Sequence, residues 1–158
     1  MAVLSPALDT TIEAVNSDQN DYNNLPGLTP PDPHGTVGLN HVVNVSNQTI
    51  QWFTKDGTPQ MNTSLTNFFR PLQPAGSLGP FDPKAIYDQY SNRYFVVALE
   101  VLDVSAGDAI NTSRILMAVS DDSDPNGTWR YQSLNTMQNI GGVAQWLDYP
   151  GLALDEEA

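Results

Sequence analysis

The segment Arg93-Tyr-Phe-Val-Val-Ala-Leu-Glu-Val101 decides the fold class, because it is a long apolar run rich in β-branched and aromatic residues. The turn residues Ser91-Asn92 precede it, and a loop that contains Ser105, Gly107 and Asp108 follows it. Such runs, bounded by turn residues, are typical of β-strands. A run that is apolar at nearly every position indicates a strand covered on both faces.

The runs on either side of this segment have the same character and predict one antiparallel sheet of four strands joined by hairpin-like loops. The predicted strands are Lys84–Asp88, Arg93–Leu102, Arg114–Ser120 and Thr128–Gln132. A hairpin is predicted upstream, with His41–Val45 and Thr49–Thr54 as its strands and Ser46-Asn47 at its turn. The fold class predicted from these runs is therefore all-β.

A local pattern of Asp, nearby Pro and a short apolar strand occurs three times, around Asp32, Asp82 and Asp148. Asp82 follows Asp32 by 50 residues, and Asp148 follows Asp82 by 66. Spacings of this size, with four strands to a unit, indicate the blades of a β-propeller. The alternative is a β-sandwich in which the three Asp-Pro turns are unrelated.

Length and charge limit the classes of protein that the chain can belong to. It has 158 residues, a formal net charge of −12 and no cysteine. The acidic surface argues against a nucleic-acid partner, and the absence of cysteine excludes disulfides and Cys-ligated zinc. No apolar run reaches 18 residues, so no membrane span is predicted.

The chain divides into a polar N-terminal arm or linker, residues 1–30, and a partial propeller, residues 31–158. The partial propeller is predicted to hold about two and a half antiparallel four-stranded blades. Leu152-Ala-Leu154 is predicted as the first strand of a further sheet, close to the last residue. We therefore expect the chain to be a fragment, with the rest of the propeller missing from it.

Several of these motifs are similar to those of secreted bacterial proteins of the sialidase-like β-propeller superfamily. They are Pro31-Asp-Pro-His-Gly-Thr-Val-Gly38 with Asn40-His-Val42, Phe81-Asp-Pro-Lys-Ala-Ile-Tyr-Asp88 with Arg93-Tyr-Phe95, Ala118-Val-Ser120, Asp124-Pro-Asn-Gly-Thr-Trp129 and Trp146-Leu-Asp-Tyr-Pro150. The resemblance covers roughly residues 30–154. It implies an extracellular or cell-surface protein and no particular substrate, because the fold hosts many functions.

The segment Asp124–Trp129 also resembles a degenerate Asp box, a structural motif of sialidases. The resemblance implies that Asp124 accepts backbone hydrogen bonds, that Gly127 supplies a positive φ and that Trp129 packs between blades. The spacing of this segment departs from the family pattern. The motif bears on the fold and not on catalysis.

The three repeated aspartates are the leading candidates for ligand contacts. If Asp32, Asp82 and Asp148 each precede the innermost strand of a blade, they line one mouth of a central channel. Carboxylates there would bind Ca²⁺ or sugar hydroxyls, or serve as a general acid and base at glycosidase separation. The alternative is that each Asp caps its own turn.

A weaker calcium candidate is the loop Asp122-Ser-Asp124-Pro-Asn126-Gly127, which matches the first half of a calcium-binding loop. Asp122, Asp124 and Asn126 would supply oxygen ligands. The expected glutamate at position 12 is replaced by Ser133, which argues for a plain hairpin loop. Calcium is therefore a candidate cofactor and not an established one.

Arginine and tryptophan positions bear on function. Arg93, Arg114 and Arg130 fall within one predicted sheet, whereas a carboxylate clamp of the sialidase kind would draw on several blades. The expected role of these arginines is to cover apolar surface or to pair with nearby Asp. The tryptophans Trp52, Trp129 and Trp146 fit either a sugar-stacking platform or packing between blades.

Three functional hypotheses follow from the sequence. The first is a non-catalytic extracellular binding or scaffold module, with carbohydrate or a cell-surface protein as partner. The second is a glycoside hydrolase of the exo-sialidase kind, with further catalytic residues beyond residue 158, so that enzymatic activity stays an open question. The third is a small stand-alone β domain without a site.

Overall fold

The described part of the chain forms two antiparallel four-stranded sheets and one short hairpin. A computed structural model describes residues 10–15, 29–75, 79–102 and 111–157. The first sheet has the strand order β1-β2-β3-β4, with bounds His34–Val37, His41–Ser46, Thr49–Thr54 and Pro59–Ser64. The second has the order β5-β6-β7-β8, with bounds Phe81–Asp88, Arg93–Leu102, Thr112–Ser120 and Trp129–Asn135. The hairpin pairs β9, Gln138–Ile140, with β10, Val143–Gln145. Each sheet is a meander in which consecutive strands are neighbours.

A short helix connects the two sheets. Helix α1 spans Leu65–Phe68, and a 3₁₀ turn follows at Arg70–Leu72. Ser64 caps the helix by accepting a hydrogen bond from the Asn67 N–H at 3.1 Å. No helix within the described residues is long and apolar enough to cross a bilayer.

The all-β fold class is confirmed, and so is the predicted sheet formed by the second group of strands. The predicted strand Arg93–Leu102 is β6, and it pairs with β5 on one side and β7 on the other. Two hairpin turns contain a residue with a left-handed backbone. Asn92 has φ 55°, which asparagine tolerates, and Gln48 has φ 72°. The turn between β9 and β10 uses Gly141 and Gly142, both at positive φ, as a two-residue hairpin turn requires.

One hydrophobic core contains side chains of both sheets. Alternate residues of β2 and β3 supply the first side of this core, and alternate residues of β6 and β7 supply the second, as the period of a strand dictates. The helix adds Leu65 and Phe68 to the same core. The core residues from the strands are Val43, Val45, Ile50, Trp52, Ala85, Tyr94, Val96, Ala98, Leu116 and Ala118.

Strand β1 of the first sheet lies beside strand β5 of the second. The backbone N–H of Ala85 donates to His34 Nδ1 at 3.3 Å, and the N–H of Tyr87 donates to Thr36 Oγ1 at 2.8 Å. Both pairs are 51 residues apart, so the two strands run in the same direction. The side chains of His34 and Thr36 on β1 therefore accept hydrogen bonds from backbone amides of β5 that point away from β6.

The second sheet is apolar on both of its faces. The face away from the core carries Phe95, Val97, Leu99, Ile115, Met117 and Val119, of which Val97 and Leu99 are buried. The segment after β10 covers part of this face, where the Trp146 ring meets the Phe81 ring edge-on at 6.2 Å. The expectation that β6 is covered on both faces is thus met over part of its length.

The C-terminal end differs from the sequence prediction in two respects. Leu152–Leu154 was predicted as a buried strand, but these residues form no strand and Ala153 is exposed. The hairpin of β9 and β10, in contrast, was not predicted. Of the predicted arm, residues 1–9 and 16–28 lie outside the described residues, and Thr11 to Glu13 line a cleft beside β3 and β4.

Candidate functional site

The three repeated aspartates lie close together. Asp32 precedes β1, Asp82 is the second residue of β5, and Asp148 follows β10. Asp82 is buried and lies within hydrogen-bond reach of the Asp32 carboxyl group and of the backbone N–H of Tyr149. Burial raises the pKa of Asp82, and the negative charges of Asp32 and Asp148 raise it further. We refer to Asp32, Asp82 and Asp148 as the carboxylate cluster.

Asn47, in the turn between β2 and β3, joins two members of this cluster. Its amide Nδ2 donates to Asp32 Oδ2 at 2.9 Å and to the Pro30 carbonyl at 2.7 Å. Its Oδ1 accepts the backbone N–H of Asp82 at 2.7 Å. Asn47 is 3% exposed, and this one buried side chain links polar groups at the start of both β1 and β5.

The backbone at the three turns repeats, with a shift of one residue in the third. Asp32, Asp82 and Tyr149 have φ of 42°, 47° and 48°, and each immediately precedes a proline. A positive φ is uncommon for a residue other than glycine. The structural equivalent of Asp32 and Asp82 is therefore Tyr149, and Asp148 lies one residue before the equivalent position.

The geometry of the cluster gives little support to calcium binding or to glycosidase chemistry there. Among residues 10–15, 29–75, 79–102 and 111–157, no group of three or more His, Cys, Asp or Glu side chains is placed to hold a metal ion. Asp32 and Asp82 are within hydrogen-bond reach of each other. Glycosidase pairs are separated by about 5–9.5 Å, to leave room for the sugar or a water molecule.

The loop predicted as a weak calcium candidate is held by its own side chains. Asp122 Oδ1 accepts the Asp124 N–H at 2.7 Å. Asp124 Oδ1 accepts the N–H of Asn126 at 3.0 Å and its Nδ2 at 2.9 Å. These oxygens serve as turn acceptors, as Asp in tight turns commonly does. Calcium binding at this loop stays a prediction.

The structure shows the surroundings of the three Asp-box-like residues, and it contradicts the positive φ predicted for Gly127. Asp124 accepts a backbone hydrogen bond, and the Trp129 ring packs 6.1 Å from the Trp52 ring of the first sheet. Gly127, however, is not among the residues with positive φ. A Cβ at this position would lie 2.9 Å from Asp121 Oδ1, so the Asp121 side chain would have to shift to accept it.

The arginine of β7 is engaged in an internal ion pair. Arg114 Nε donates to Glu100 Oε2 at 2.6 Å, and the Glu100 side chain is fully buried. Arg114 also donates to the Leu72 carbonyl at 3.3 Å. Its role is structural, and it is not positioned to hold the carboxylate of a ligand.

A cleft of about 550 Å³ lies between the two sheets, beside the loop that connects β7 to β8. Its aromatic lining comes from both sheets and the helix: Trp52 and Phe68 on one side, Trp129 and Tyr131 on the other. Phe68 meets the Trp129 ring edge-on at 5.0 Å and the Tyr131 ring at 5.7 Å. Sequence analysis singled out the tryptophans but did not predict that Phe68 and Tyr131 join them.

Both indole N–H groups at this cleft are used within the protein. Trp52 Nε1 donates to Asn126 Oδ1 at 2.9 Å, and Trp129 Nε1 donates to the Pro125 carbonyl at 2.9 Å. These bonds fix the two rings relative to the loop. The sequence carries no signal for the contact between Trp52 and Asn126, which are 74 residues apart.

Comparison of the chain with family models, curated proteins and solved structures found no match.

Proposed function

We propose that this chain forms blades of a sialidase-like β-propeller that acts outside the cell as a binding or scaffold module, with carbohydrate as its favoured ligand. The observation that carries the proposal is the meeting of the three proline-bounded turns at the carboxylate cluster, beside the parallel strands β1 and β5. In a propeller, each blade begins with its innermost strand, and those strands line one channel. The extracellular setting follows from the family resemblance alone.

The apolar faces of the second sheet favour a propeller over a small stand-alone domain. A blade packs against a neighbour on each side, so both of its faces are apolar. The second sheet has this property, with one face in the shared core and Val97 and Leu99 buried on the other. An outer sheet of an isolated domain would instead alternate apolar and polar residues.

The carboxylate cluster supports binding more than hydrolysis. Carboxylates accept hydrogen bonds from sugar hydroxyls, and Asp148 is exposed to solvent. Asp32 and Asp82 are too close together to flank a glycosidic bond, and Arg114 is engaged by Glu100. No observation favours the glycoside hydrolase hypothesis over the binding module.

The proposed function is tested by presenting the chain to an array of neutral and acidic oligosaccharides and measuring retention by biolayer interferometry. We expect at least one retained saccharide to bind more weakly to Asp148→Asn, and none to bind differently to Asp155→Asn, an exposed control in the C-terminal segment. An array without a single retained saccharide would contradict the proposal.

A further inference from the structure

We infer that the cleft lined by Trp52, Phe68, Trp129 and Tyr131 is a binding site for a neutral saccharide, separate from the carboxylate cluster. The inference rests on the proposed binding function and names a ligand class and a site for it. We refer to this site as the aromatic cleft.

The aromatic cleft combines fixed rings with available polar groups. Its polar lining includes Asn67, Arg70 and Tyr131. None of these three side chains makes a hydrogen bond to another residue in the described part of the chain, and the Tyr131 hydroxyl is not among the buried unpaired atoms. A ligand that enters the cleft therefore meets donors and acceptors that are not already satisfied.

The chemistry of the lining favours a polyhydroxyl compound. A sugar ring presents a face of C–H groups that stacks on an aromatic ring and an edge of hydroxyls that needs hydrogen-bond partners. Trp129 and Tyr131 are partly exposed on β8 and supply the rings, whereas Asn67 and Arg70 supply the donors. A volume of about 550 Å³ lies in the range of small-molecule sites.

The same lining argues against other ligands. Among the described residues, no carboxylate or histidine lines the cleft, so these residues offer no ligand set for a hard metal ion. Arg70 is the one charged side chain among the described lining residues, which is less than the clustered cations that recognise phosphorylated ligands. Burial raises the pKa of Tyr131, so its hydroxyl stays protonated and able to donate at neutral pH.

The site is rigid before any ligand arrives. The rings of Trp52 and Trp129 are held by hydrogen bonds to the loop that carries Pro125 and Asn126. Tyr131 is held by edge-on contacts to Phe68 and Phe69. Rings that are already in place lose little conformational freedom on binding, which favours affinity.

The test is a titration of the full chain, labelled with ¹⁵N, with neutral disaccharides and, in parallel, with a uronic-acid disaccharide of the same linkage. The chain has three tryptophans, so its spectrum holds three indole N–H signals. We expect neutral disaccharides to shift the signals of Trp52 and Trp129 and to leave that of Trp146 in place. The change Tyr131→Phe, which removes only the hydroxyl, should weaken binding about 5- to 10-fold.

Arg130→Gln is the matched control, because Arg130 is exposed and alternates with Tyr131 on β8, so it lies on the other face. It should leave the affinity unchanged. Thermal melting of each variant shows whether a loss of binding reflects a loss of fold.

Each of the other outcomes contradicts the inference about the aromatic cleft, the proposed binding function, or both. If disaccharides bind but shift neither Trp52 nor Trp129, and Asp148→Asn abolishes binding, the aromatic cleft is not the site and the binding function stands. If only the uronic-acid disaccharide binds, and Arg70→Gln abolishes that binding, the ligand class is wrong. If no saccharide binds here or on the array, the proposed function fails together with this inference.

Discussion

Beyond the effect of burial, the carboxyl group of Asp32 raises the pKa of Asp82, which follows it by 50 residues in the sequence, because the two groups meet at the start of adjacent strands. Each has a left-handed backbone and is followed by proline. Two buried or partly buried carboxyl groups this close cannot both ionise without repulsion. The contact between the two sheets at this point therefore changes how readily Asp82 loses its proton.

The pH dependence of stability should respond to Asp82→Asn. The folded pKa of Asp82 lies above its ordinary value of 3.8, so Asp82 favours folding below about pH 4, and that contribution is lost as the pH rises through the folded pKa. Asparagine keeps the shape and removes the repulsion from Asp32 and Asp148. At pH 7 we expect Asp82→Asn to raise Tm by about 2 to 4 °C.

Calorimetric melts of the wild type and Asp82→Asn between pH 3 and pH 8 would measure this effect, with Asp155→Asn as the control. The difference in Tm between Asp82→Asn and wild type should shrink toward pH 3, where Asp82 is protonated in both folded and unfolded chains. A variant that is less stable than wild type at pH 7 and equal to it at pH 3 would show that the charged form of Asp82 stabilises the fold.

Asn47→Ala should destabilise the fold by about 3 kcal/mol, because it leaves the buried N–H of Asp82 and the Pro30 carbonyl without their partner. Urea unfolding followed by tryptophan fluorescence measures the change. Asn44→Ala is the control, since Asn44 is only half-buried and makes one long bond of 3.3 Å to the His34 carbonyl. Equal losses in the two variants would refute the bridging role of Asn47.

Gly38→Ala should cost about 2 kcal/mol through overpacking. A Cβ at this position would lie 2.5 Å from Tyr94 Cζ and 2.8 Å from Tyr87 Cε2. The Tyr94 ring cannot easily move, because it is buried and its hydroxyl donates to the His41 carbonyl at 3.0 Å. The same burial raises the pKa of Tyr94 to about 12. Gly151→Ala, where a Cβ meets nothing within 4 Å, should change the unfolding free energy by less than about 0.5 kcal/mol.

Removing one partner of the Arg114–Glu100 pair should be far more damaging than removing both. Arg114→Met leaves the fully buried Glu100 carboxylate without its cation, which should cost about 3 kcal/mol or more. The double variant Arg114→Met/Glu100→Met should recover most of that loss. If the double variant is as unstable as Arg114→Met, the unpaired Glu100 carboxylate is not the reason for the loss of stability.

Much of the second sheet was predictable from the sequence, because its strands are long apolar runs separated by turn residues. The bounds of β6 match the prediction, and β7 begins two residues earlier than predicted. The first sheet was harder to predict. Its outer strands β1 and β4 are short and exposed, with sequences His34-Gly-Thr-Val37 and Pro59-Gln-Met-Asn-Thr-Ser64 that lack an apolar pattern.

The candidate sites were likewise predictable in part from the sequence. The repeated Asp-Pro pattern was visible in the sequence, but its third copy aligns on Tyr149 rather than on Asp148 because backbone conformation, and not the acidic residue, is what repeats. Asn47 and Tyr131 could not be identified, since their roles depend on contacts between sheets. The strand predicted at Leu152–Leu154 failed because a short apolar run alone does not form a strand.

The pairing of the two sheets through β1 and β5 is the central claim, since both the carboxylate cluster and the aromatic cleft depend on it. The most direct measurement is a ¹⁵N-edited NOE spectrum of the labelled chain, inspected at the amide of Tyr87. This amide donates to Thr36 Oγ1 at 2.8 Å, so we predict a clear NOE to the Thr36 β-proton and slow hydrogen exchange. A Tyr87 amide that exchanges rapidly and shows no NOE to Thr36 would contradict the account.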